Sequence, residues 1–182
     1  VPAHVLVVLD EAYIEYAEGS DLPDGLDFLA AYPNLLVSRT FSKAYGLASL
    51  RVGYGLSTAV VADVLNRVRQ PFNVNSLALA AACAALKDAE YLEEGRRINE
   101  SGMQQLQQGF RELGLGWIES KGNFVCVDVA QDAAPVFQGL LREGVIVRPV
   151  ANYGMPNHLR ITIGLPAENS RFLEALAKVL AR

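Results

Sequence analysis

Residues 40–51 have the sequence TFSKAYGLASLR and follow the largely apolar segment LLVS at residues 35–38. Such a segment predicts a buried strand, and the polar, glycine-containing stretch after it predicts a connection that leaves the sheet. Lys43 therefore lies directly after a strand, among small and aromatic residues. Desolvation there favours the neutral amine, which can form a Schiff base with a carbonyl compound.

Two further residues of this segment suit a phosphate group. Ser42 offers a hydroxyl that can hydrogen-bond a phosphate oxygen, and Arg51 offers a guanidinium fork. The alternative is that Lys43 is a solvated loop lysine and Arg51 a charge at a strand end, because most lysines are exposed.

An earlier strand is predicted near the start of the chain, where VLVVL occupies residues 5–9. An unbroken apolar run is typical of a strand covered on both faces in a parallel sheet. Such a strand needs neighbours on both sides and the chain opens at Val1 without Met, so we expect a piece of a longer protein. Asp10 and Tyr13 follow this strand. Since ligands lie beyond the carboxyl ends of strands in open α/β sheets, Asp10 is a candidate ligand-facing acid; the alternative is an acid within a turn.

The rest of the pattern divides the chain into three predicted parts. The predicted elements are a loop at 15–25, a short helix at 26–32, strands at 35–38 and 51–55, a helix from its N-cap Ser57 to about 69, helical structure from 76 to about 113, strands at 116–119, 124–127, 145–148 and 159–163, and helices at 133–142 and 168–180. We expect an α/β fold: a mostly parallel sheet with helices in residues 1–73, an interdomain helical segment in 74–115, and a small α+β domain in 116–182.

Two arginines at predicted strand ends are candidates for anion binding. Arg148 ends the strand predicted at 145–148, and Arg160 lies in the segment LRITIG at residues 159–164. A guanidinium that faces a cleft can hold a carboxylate or a phosphate through two parallel hydrogen bonds. For Arg148, an ordinary surface charge is the alternative.

Three motifs together carry a family resemblance: DEAY at residues 10–13, TFSKAYGLASLR at 40–51 and LRITIG at 159–164. They resemble the motifs of the pyridoxal-phosphate-dependent aminotransferases of fold type I, class II, in the subgroup that contains histidinol-phosphate aminotransferase. The resemblance covers essentially all 182 residues. Ser49 stands where glycine is commoner in the family, which is a change between small residues.

The resemblance implies a role for each residue near the first two strands. Lys43 is the catalytic residue that binds pyridoxal 5'-phosphate, with Ser42 and Arg51 on the cofactor phosphate. Asp10 keeps the pyridine nitrogen protonated, and Tyr13 hydrogen-bonds the phenolic oxygen of the ring.

The resemblance also implies the substrate-binding residues of the small domain. Arg160 matches the arginine that binds the substrate carboxylate, and Arg148 would help to hold a substrate phosphate. Asn123 matches a position that borders the active site, with a turn-forming asparagine as the alternative.

The implied reaction is amino transfer from a small α-amino donor such as glutamate to a keto acceptor. The closest resemblance is to the enzymes that transaminate histidinol phosphate and 2-oxoglutarate in histidine biosynthesis, which act as homodimers. An aromatic aminotransferase or a threonine-phosphate decarboxylase would carry almost the same motifs, and a non-catalytic fragment or interaction module is the alternative from another class. The family's earlier half supplies further cofactor contacts, so we expect this chain alone to be inactive.

The composition argues against several other classes. With 51% hydrophobic and 20% charged residues the chain has the composition of a soluble globular protein, and its net charge of −4 gives no basic surface for nucleic acid or an anionic membrane. No apolar run approaches the roughly 20 residues of a membrane span, and residues 1–9 do not have the layout of a signal peptide, so a cytoplasmic location is expected. Cys83 and Cys126 lie in apolar surroundings, so we expect both to be buried free thiols. No metal site is expected.

Overall fold

The computed structural model describes residues 1–17, 19 and 21–181, which form two compact units, Val1–Gly95 and Arg96–Arg182. The strands are β1 (Val7–Asp10), β2 (Leu35–Thr40), β3 (Gly53–Ser57), β4 (Gly116–Ile118), β5 (Phe124–Asp128), β6 (Arg148–Pro149) and β7 (His158–Thr162). The helices are α1 (Ile14–Ala17), α2 (Ala59–Val68), α3 (Ser76–Ala85), α4 (Ala89–Glu112), α5 (Ala133–Arg142) and α6 (Pro166–Leu180), and short 3-10 helices occupy Gly25–Phe28, Ala48–Leu50 and Ala151–Tyr153. The division between the units falls within α4, and the three-part division at residues 73 and 115 stays a prediction.

The first unit contains a three-stranded sheet in the order β1-β2-β3. β1 and β2 run parallel with Asp10 opposite Ser38, so their carboxyl ends lie at the same edge. β3 returns antiparallel to β2, with Thr40 opposite Gly53. Residues 41–52 therefore form the connection at the carboxyl end of β2, as the sequence predicts.

β1 does not have the two covered faces that its sequence predicts. The side chains of Val8 and Leu9 are 55% and 38% exposed. Within the part of the chain that the structure describes, β1 pairs only with β2, so its side chains lack the lateral contacts that a second neighbouring strand would supply. The apolar pattern suits an interior strand, whereas β1 is an edge strand here.

The second unit is built on an antiparallel sheet in the order β4-β5-β7-β6. Alternate residues of β5 and β7 point into one core, so Val125, Val127, Leu159 and Ile161 are buried. That core is closed by side chains from the last turns of α4 and from α5 and α6, among them Leu106, Phe110, Leu140, Phe172 and Leu176. Side chains on the opposite face, such as Phe124, Cys126 and Arg160, are half-buried.

The strand predicted at residues 145–148 is shorter than expected and begins only at Arg148. Gly144 has a φ of 76° and ends α5, and the N–H of Val145 donates to the carbonyl of Leu140 at 2.9 Å. Because that bond uses the N–H of Val145 in the turn that ends α5, this N–H is not available for a β ladder. Pro149 has no N–H to extend the ladder.

Other differences from the prediction are small. The helix predicted from Ser57 has Thr58 as its N-cap, and helical residues 76–113 form two helices with a break at 86–88. The predicted loop at 15–25 includes the end of α1, and its residues Glu18 and Ser20 lie outside the described residues. Cys83 is exposed rather than buried because it lies on the outer side of α3. No helix among residues 1–17, 19 and 21–181 has the length and apolarity to cross a membrane.

Candidate active site

Lys43 lies in a turn that is closed by its own backbone. Phe41 is 3% exposed, and its N–H donates to the carbonyl of Val52 at 3.2 Å. The carbonyl of Phe41 accepts from the N–H of Leu47 at 2.9 Å. The Phe41 ring packs beside Tyr45, with ring centroids 4.9 Å apart. A buried aromatic residue therefore fixes both ends of the turn that presents the lysine.

The structure brings Lys43 beside one of the residues predicted to share its site. Its Nζ lies 5.4 Å from the centre of the Tyr13 ring. Lys43 is exposed, so the desolvation predicted from its small and aromatic neighbours is not provided by this chain. The reason is geometric, because Phe41 and Ala44 turn into the core while the lysine side chain leaves the sheet edge.

Ser42 and Arg51 also lie together. Nη1 of Arg51 donates to the carbonyl of Ala48 at 2.9 Å and lies 3.5 Å from the hydroxyl of Ser42. Arg51 has a φ of 53° and a ψ of 52°, a left-handed conformation that costs a residue with a Cβ about 1–2 kcal/mol. Strain of this kind is commonly found at functional sites, so the conformation of Arg51 supports a binding role.

Asp10 lies at the end of β1, on the sheet edge from which the lysine turn departs. One of its carboxylate oxygens accepts from the N–H of Ala12 at 3.1 Å, and the residue is exposed. Parallel pairing with β2 sets Asp10 opposite Ser38, five residues before Lys43. The acid and the amine therefore share one edge of one sheet.

Sequence reasoning missed a charged network behind these residues, formed by Glu11, Asp24 and Arg39. Glu11 is 7% exposed, and its carboxylate accepts from Nε of Arg39 at 2.9 Å. Nη2 of Arg39 lies 2.6 Å from the carboxylate of Asp24. Burial alone would lower the pKa of Arg39, but the hydrogen bonds that it donates to Glu11 and Asp24 raise the pKa above its ordinary value. The available signal was an arginine directly after the strand predicted at 35–38, since a charged residue beside a buried strand needs a partner.

The two candidate arginines of the second unit are neighbours across its sheet. Arg148 on β6 is directly opposite Arg160 on β7, and Arg160 is opposite Cys126 on β5. Directly opposite residues project from the same face, which here is the face away from the helix-covered core. Two like charges opposite each other are unfavourable, so an anion between them would stabilise the pair.

Arg160 is held in place on that face. Its guanidinium carbon lies 5.0 Å from the centre of the Phe124 ring, and its Nε is buried with no hydrogen-bond partner among the described residues. A groove of about 790 Å³ runs past both arginines to the start of α6. Asn123 precedes β5, and its carbonyl accepts from the N–H of Ile163 at 2.9 Å. Burial raises the pKa of the neighbouring Cys126 thiol, and the charge of Arg160 offsets part of that shift.

The chain matches the family of aminotransferases of class I and II over residues 1–176. It belongs to that family. It is 90% identical over 182 residues to histidinol-phosphate aminotransferase 2 of Pseudomonas fluorescens strain Pf0-1 and 77% identical over 181 residues to histidinol-phosphate aminotransferase 2 of Pseudomonas aeruginosa strain PAO1. Each match covers 100% of this chain and 49% of the relative, so the chain spans about half the length of the curated relatives it matches.

Solved structures of family members have the same fold. The crystal structure of histidinol-phosphate aminotransferase from Sinorhizobium meliloti, in complex with pyridoxal-5'-phosphate, matches with a TM-score of 0.89 and 36% sequence identity. The match covers 100% of this chain and 50% of that chain. The predicted fold class, part of a fold-type-I large domain followed by a small α+β domain, is confirmed.

In this family member, the predicted site residues fall into two groups, one in each unit. The group in the first unit is Asp10, Tyr13, Ser42, Lys43 and Arg51, and the group in the second unit is Asn123, Arg148 and Arg160. The first group offers an amine, an acid, a phenol, a hydroxyl and a guanidinium at one sheet edge. In pyridoxal phosphate, the amine suits the aldehyde, the acid suits the ring nitrogen and the phenol suits the phenolic oxygen. The hydroxyl and the guanidinium suit the phosphate. Their individual roles stay predictions.

Proposed function

We propose that this chain is the C-terminal half of an aminotransferase that uses pyridoxal 5'-phosphate to transaminate histidinol phosphate with 2-oxoglutarate, in histidine biosynthesis. The observation that carries the proposal is the position of Lys43 beside Tyr13, with Ser42 and Arg51 paired in the same turn. The names of relatives that are 77% and 90% identical support the choice of substrate, although those relatives are about twice as long.

The residues of the first unit would hold the cofactor. Ser42 and Arg51 bind its phosphate through a hydroxyl and a charged fork. Asp10 accepts a hydrogen bond from the protonated ring nitrogen, and Tyr13 donates a hydrogen bond to the phenolic oxygen. When bound, pyridoxal phosphate supplies an electron sink that stabilises a carbanion at the substrate Cα.

Lys43 has two tasks in this proposal. Its amine would hold the cofactor through the aldehyde carbon in the absence of substrate, a condensation that releases one water. Once released by the substrate, the same amine removes the proton from the substrate Cα and returns a proton as the product forms. A flexible side chain on a fixed turn suits both tasks, because the amine has to move between two partners.

The arginines of the second unit would bind the anionic groups of the substrates. Arg160 binds a substrate carboxylate, Arg148 contributes to binding a substrate phosphate, and Asn123 borders the site. One partner of the reaction, histidinol phosphate, carries a phosphate, and the other, 2-oxoglutarate, carries carboxylates. Two guanidinium groups opposite each other suit both substrates, since either a phosphate or a carboxylate reduces the repulsion between the two positive charges.

A cytoplasmic homodimer is part of this proposal. In it, the residues that precede this chain in the full-length protein, together with a partner subunit, complete the site. The exposed faces of β1 and the exposure of Lys43 support this, because the site is open on the side where more protein would pack. The 182-residue chain alone should then bind cofactor weakly and have no transaminase activity.

The test is substrate preference in the full-length protein that contains this chain. Turnover is measured with histidinol phosphate, with phenylalanine and with threonine phosphate, the last by release of carbon dioxide. We expect the highest kcat/KM with histidinol phosphate and 2-oxoglutarate. Turnover of phenylalanine or threonine phosphate alone would replace the substrate assignment, and no turnover of any of the three would favour a non-catalytic protein.

A further inference from the structure

The charged network of Glu11, Asp24 and Arg39 joins the two segments that carry the proposed cofactor residues. Glu11 follows Asp10 directly and begins the turn that contains Tyr13. Arg39 lies on β2, four residues before Lys43. Their ion pair, at 2.8 Å between Nη2 and the carboxylate, is almost closed to solvent, with 13% of the arginine side chain and 6% of the glutamate side chain exposed.

Two further hydrogen bonds hold Glu11 in addition to its ion pair with Arg39. The N–H of Glu11 donates to the carbonyl of Ser38 at 2.9 Å and so prolongs the pairing of β1 with β2 by one residue. The other carboxylate oxygen of Glu11 accepts from the N–H of Gly25 at 2.6 Å. A Cβ at Gly25 would lie 2.6 Å from that oxygen, so this approach needs glycine.

Asp24 completes the network on the far side of Arg39. Its carboxylate accepts from the N–H of Leu26 at 2.8 Å and caps the 3-10 helix Gly25–Phe28. That backbone bond, with the bond from Arg39, lowers the pKa of Asp24 despite partial desolvation. All three charged groups are therefore paired, and the arginine binds two carboxylates that come from different segments.

A buried ion pair is a poor source of stability, because desolvation offsets most of the attraction. An apolar pair of the same size would pack at least as well. A forked guanidinium and a carboxylate hold each other in a fixed orientation, which two apolar side chains do not.

We propose that Arg39 and Glu11 are positioning residues: their ion pair sets the turn bearing Asp10 and Tyr13 in register with the turn bearing Ser42 and Lys43. This proposal rests on the proposed function. The two turns leave adjacent parallel strands, and the pair ties one strand end to the other. Without this ion pair, the turn with the proposed ring contacts and the turn with the proposed amine would move independently.

The experiment compares Arg39→Met, Arg39→Lys and Glu11→Gln with the wild type in the full-length protein that contains this chain. The control is Arg67→Met, which removes the arginine of the exposed ion pair Arg67–Asp63 on α2. Three quantities are measured: the Kd for pyridoxal 5'-phosphate, the midpoint of the pH-dependent change in the visible absorption of the bound cofactor, and the Tm without cofactor. Borohydride reduction and peptide mapping of the wild type locate the cofactor.

We expect Arg39→Met and Glu11→Gln to raise the Kd by about tenfold to a hundredfold, since small misplacements of a site have effects of this size. The absorption midpoint should move by about one pH unit, because the environment of the ring nitrogen and phenolic oxygen changes. Arg39→Lys keeps the charge without the fork and should recover part of both effects. Arg67→Met should change neither.

A role in packing alone would lower the Tm but leave the absorption midpoint in place, and that result would overturn the proposal. If Arg39→Met does not fold, Glu11→Gln, which keeps the shape of the side chain, and Arg39→Lys decide the question. A wild type that is labelled at Lys43, with variants of unchanged Kd and midpoint, would refute the positioning role and leave the proposed function intact. A wild type that is not labelled at Lys43 would refute the proposed function, and the positioning role with it.

Discussion

The two units place their candidate residues by different means. In the second unit, Arg148 and Arg160 lie on a β ladder whose other face is a finished core, so the register of the sheet fixes their relation. In the first unit, Asp10 and Lys43 lie in loops beyond two short strands, and β1 is exposed where β5 is alternately buried. Sheet register alone therefore relates the two arginines, whereas the relation of Asp10 to Lys43 also depends on the conformations of two loops.

The largest expected effect concerns stability. Leu159 is fully buried in the second unit, and its replacement by alanine should lower the free energy of unfolding by about 2–5 kcal/mol. Val8 on β1 is 55% exposed, so Val8→Ala should lower it by less than about 0.5 kcal/mol. Urea denaturation of the 182-residue chain measures both. Equal losses would mean that β1 is as well packed as β7, contrary to the comparison.

The arginine pair provides the next test. Arg160→Lys keeps the positive charge but loses the planar fork, so KM for 2-oxoglutarate should rise by about tenfold to a hundredfold in the full-length protein. Arg142 is exposed on α5, and Arg142→Lys is the matched control with no expected change. Steady-state kinetics decide, and an unchanged KM in Arg160→Lys would remove Arg160 from the substrate site.

Most of the fold could be predicted from the sequence because local patterns determine it. The helix at 133–142 and the strand beginning at Phe124 follow from periodicity alone, and both are confirmed. The strand predicted at 145–148 was too long, because the C-terminal turn of α5 takes the N–H of Val145. No single-sequence pattern shows that competition.

The candidate site was only partly predictable for a similar reason. Motifs identified Lys43, and the structure sets it beside Tyr13. The ion pair between Glu11 and Arg39 joins residues 28 positions apart, and its existence depends on the parallel register of β1 and β2. The exposure of Lys43 was also missed, since burial depends on which segments pack over the turn.

A smaller effect separates backbone strain from crowding in the lysine turn. Gly46 and Gly114 both have a φ of 69°, so alanine at either position should cost about 1–2 kcal/mol. A Cβ at Gly46 would also lie 2.8 Å from the Tyr91 hydroxyl, whereas nothing lies within 4 Å at Gly114. Gly46→Ala should therefore be the more destabilising in urea denaturation. Adding Tyr91→Phe should recover the difference, and no recovery would show that the contact is unimportant.

The smallest effect is a difference in cysteine reactivity between the units. Burial raises the pKa of Cys126, so its thiol stays protonated to higher pH and less of the reactive thiolate is present at pH 8. Cys83 is exposed on α3. Alkylation by iodoacetamide should be faster at Cys83, and the rate at Cys126 should continue to rise above the ordinary thiol pKa of 9.0. Cys83→Ser and Cys126→Ser isolate each rate, and faster alkylation of Cys126 at pH 8 would contradict the expected shift.

Chemical trapping shows whether Lys43 is the residue that carries the cofactor. The full-length protein is incubated with pyridoxal 5'-phosphate, reduced with borohydride, digested and mapped by mass spectrometry. We expect the adduct in the peptide that contains residues 40–51, at Lys43, and its loss in Lys43→Ala. An adduct mainly on another lysine, such as Lys87 or Lys121, would contradict this expectation.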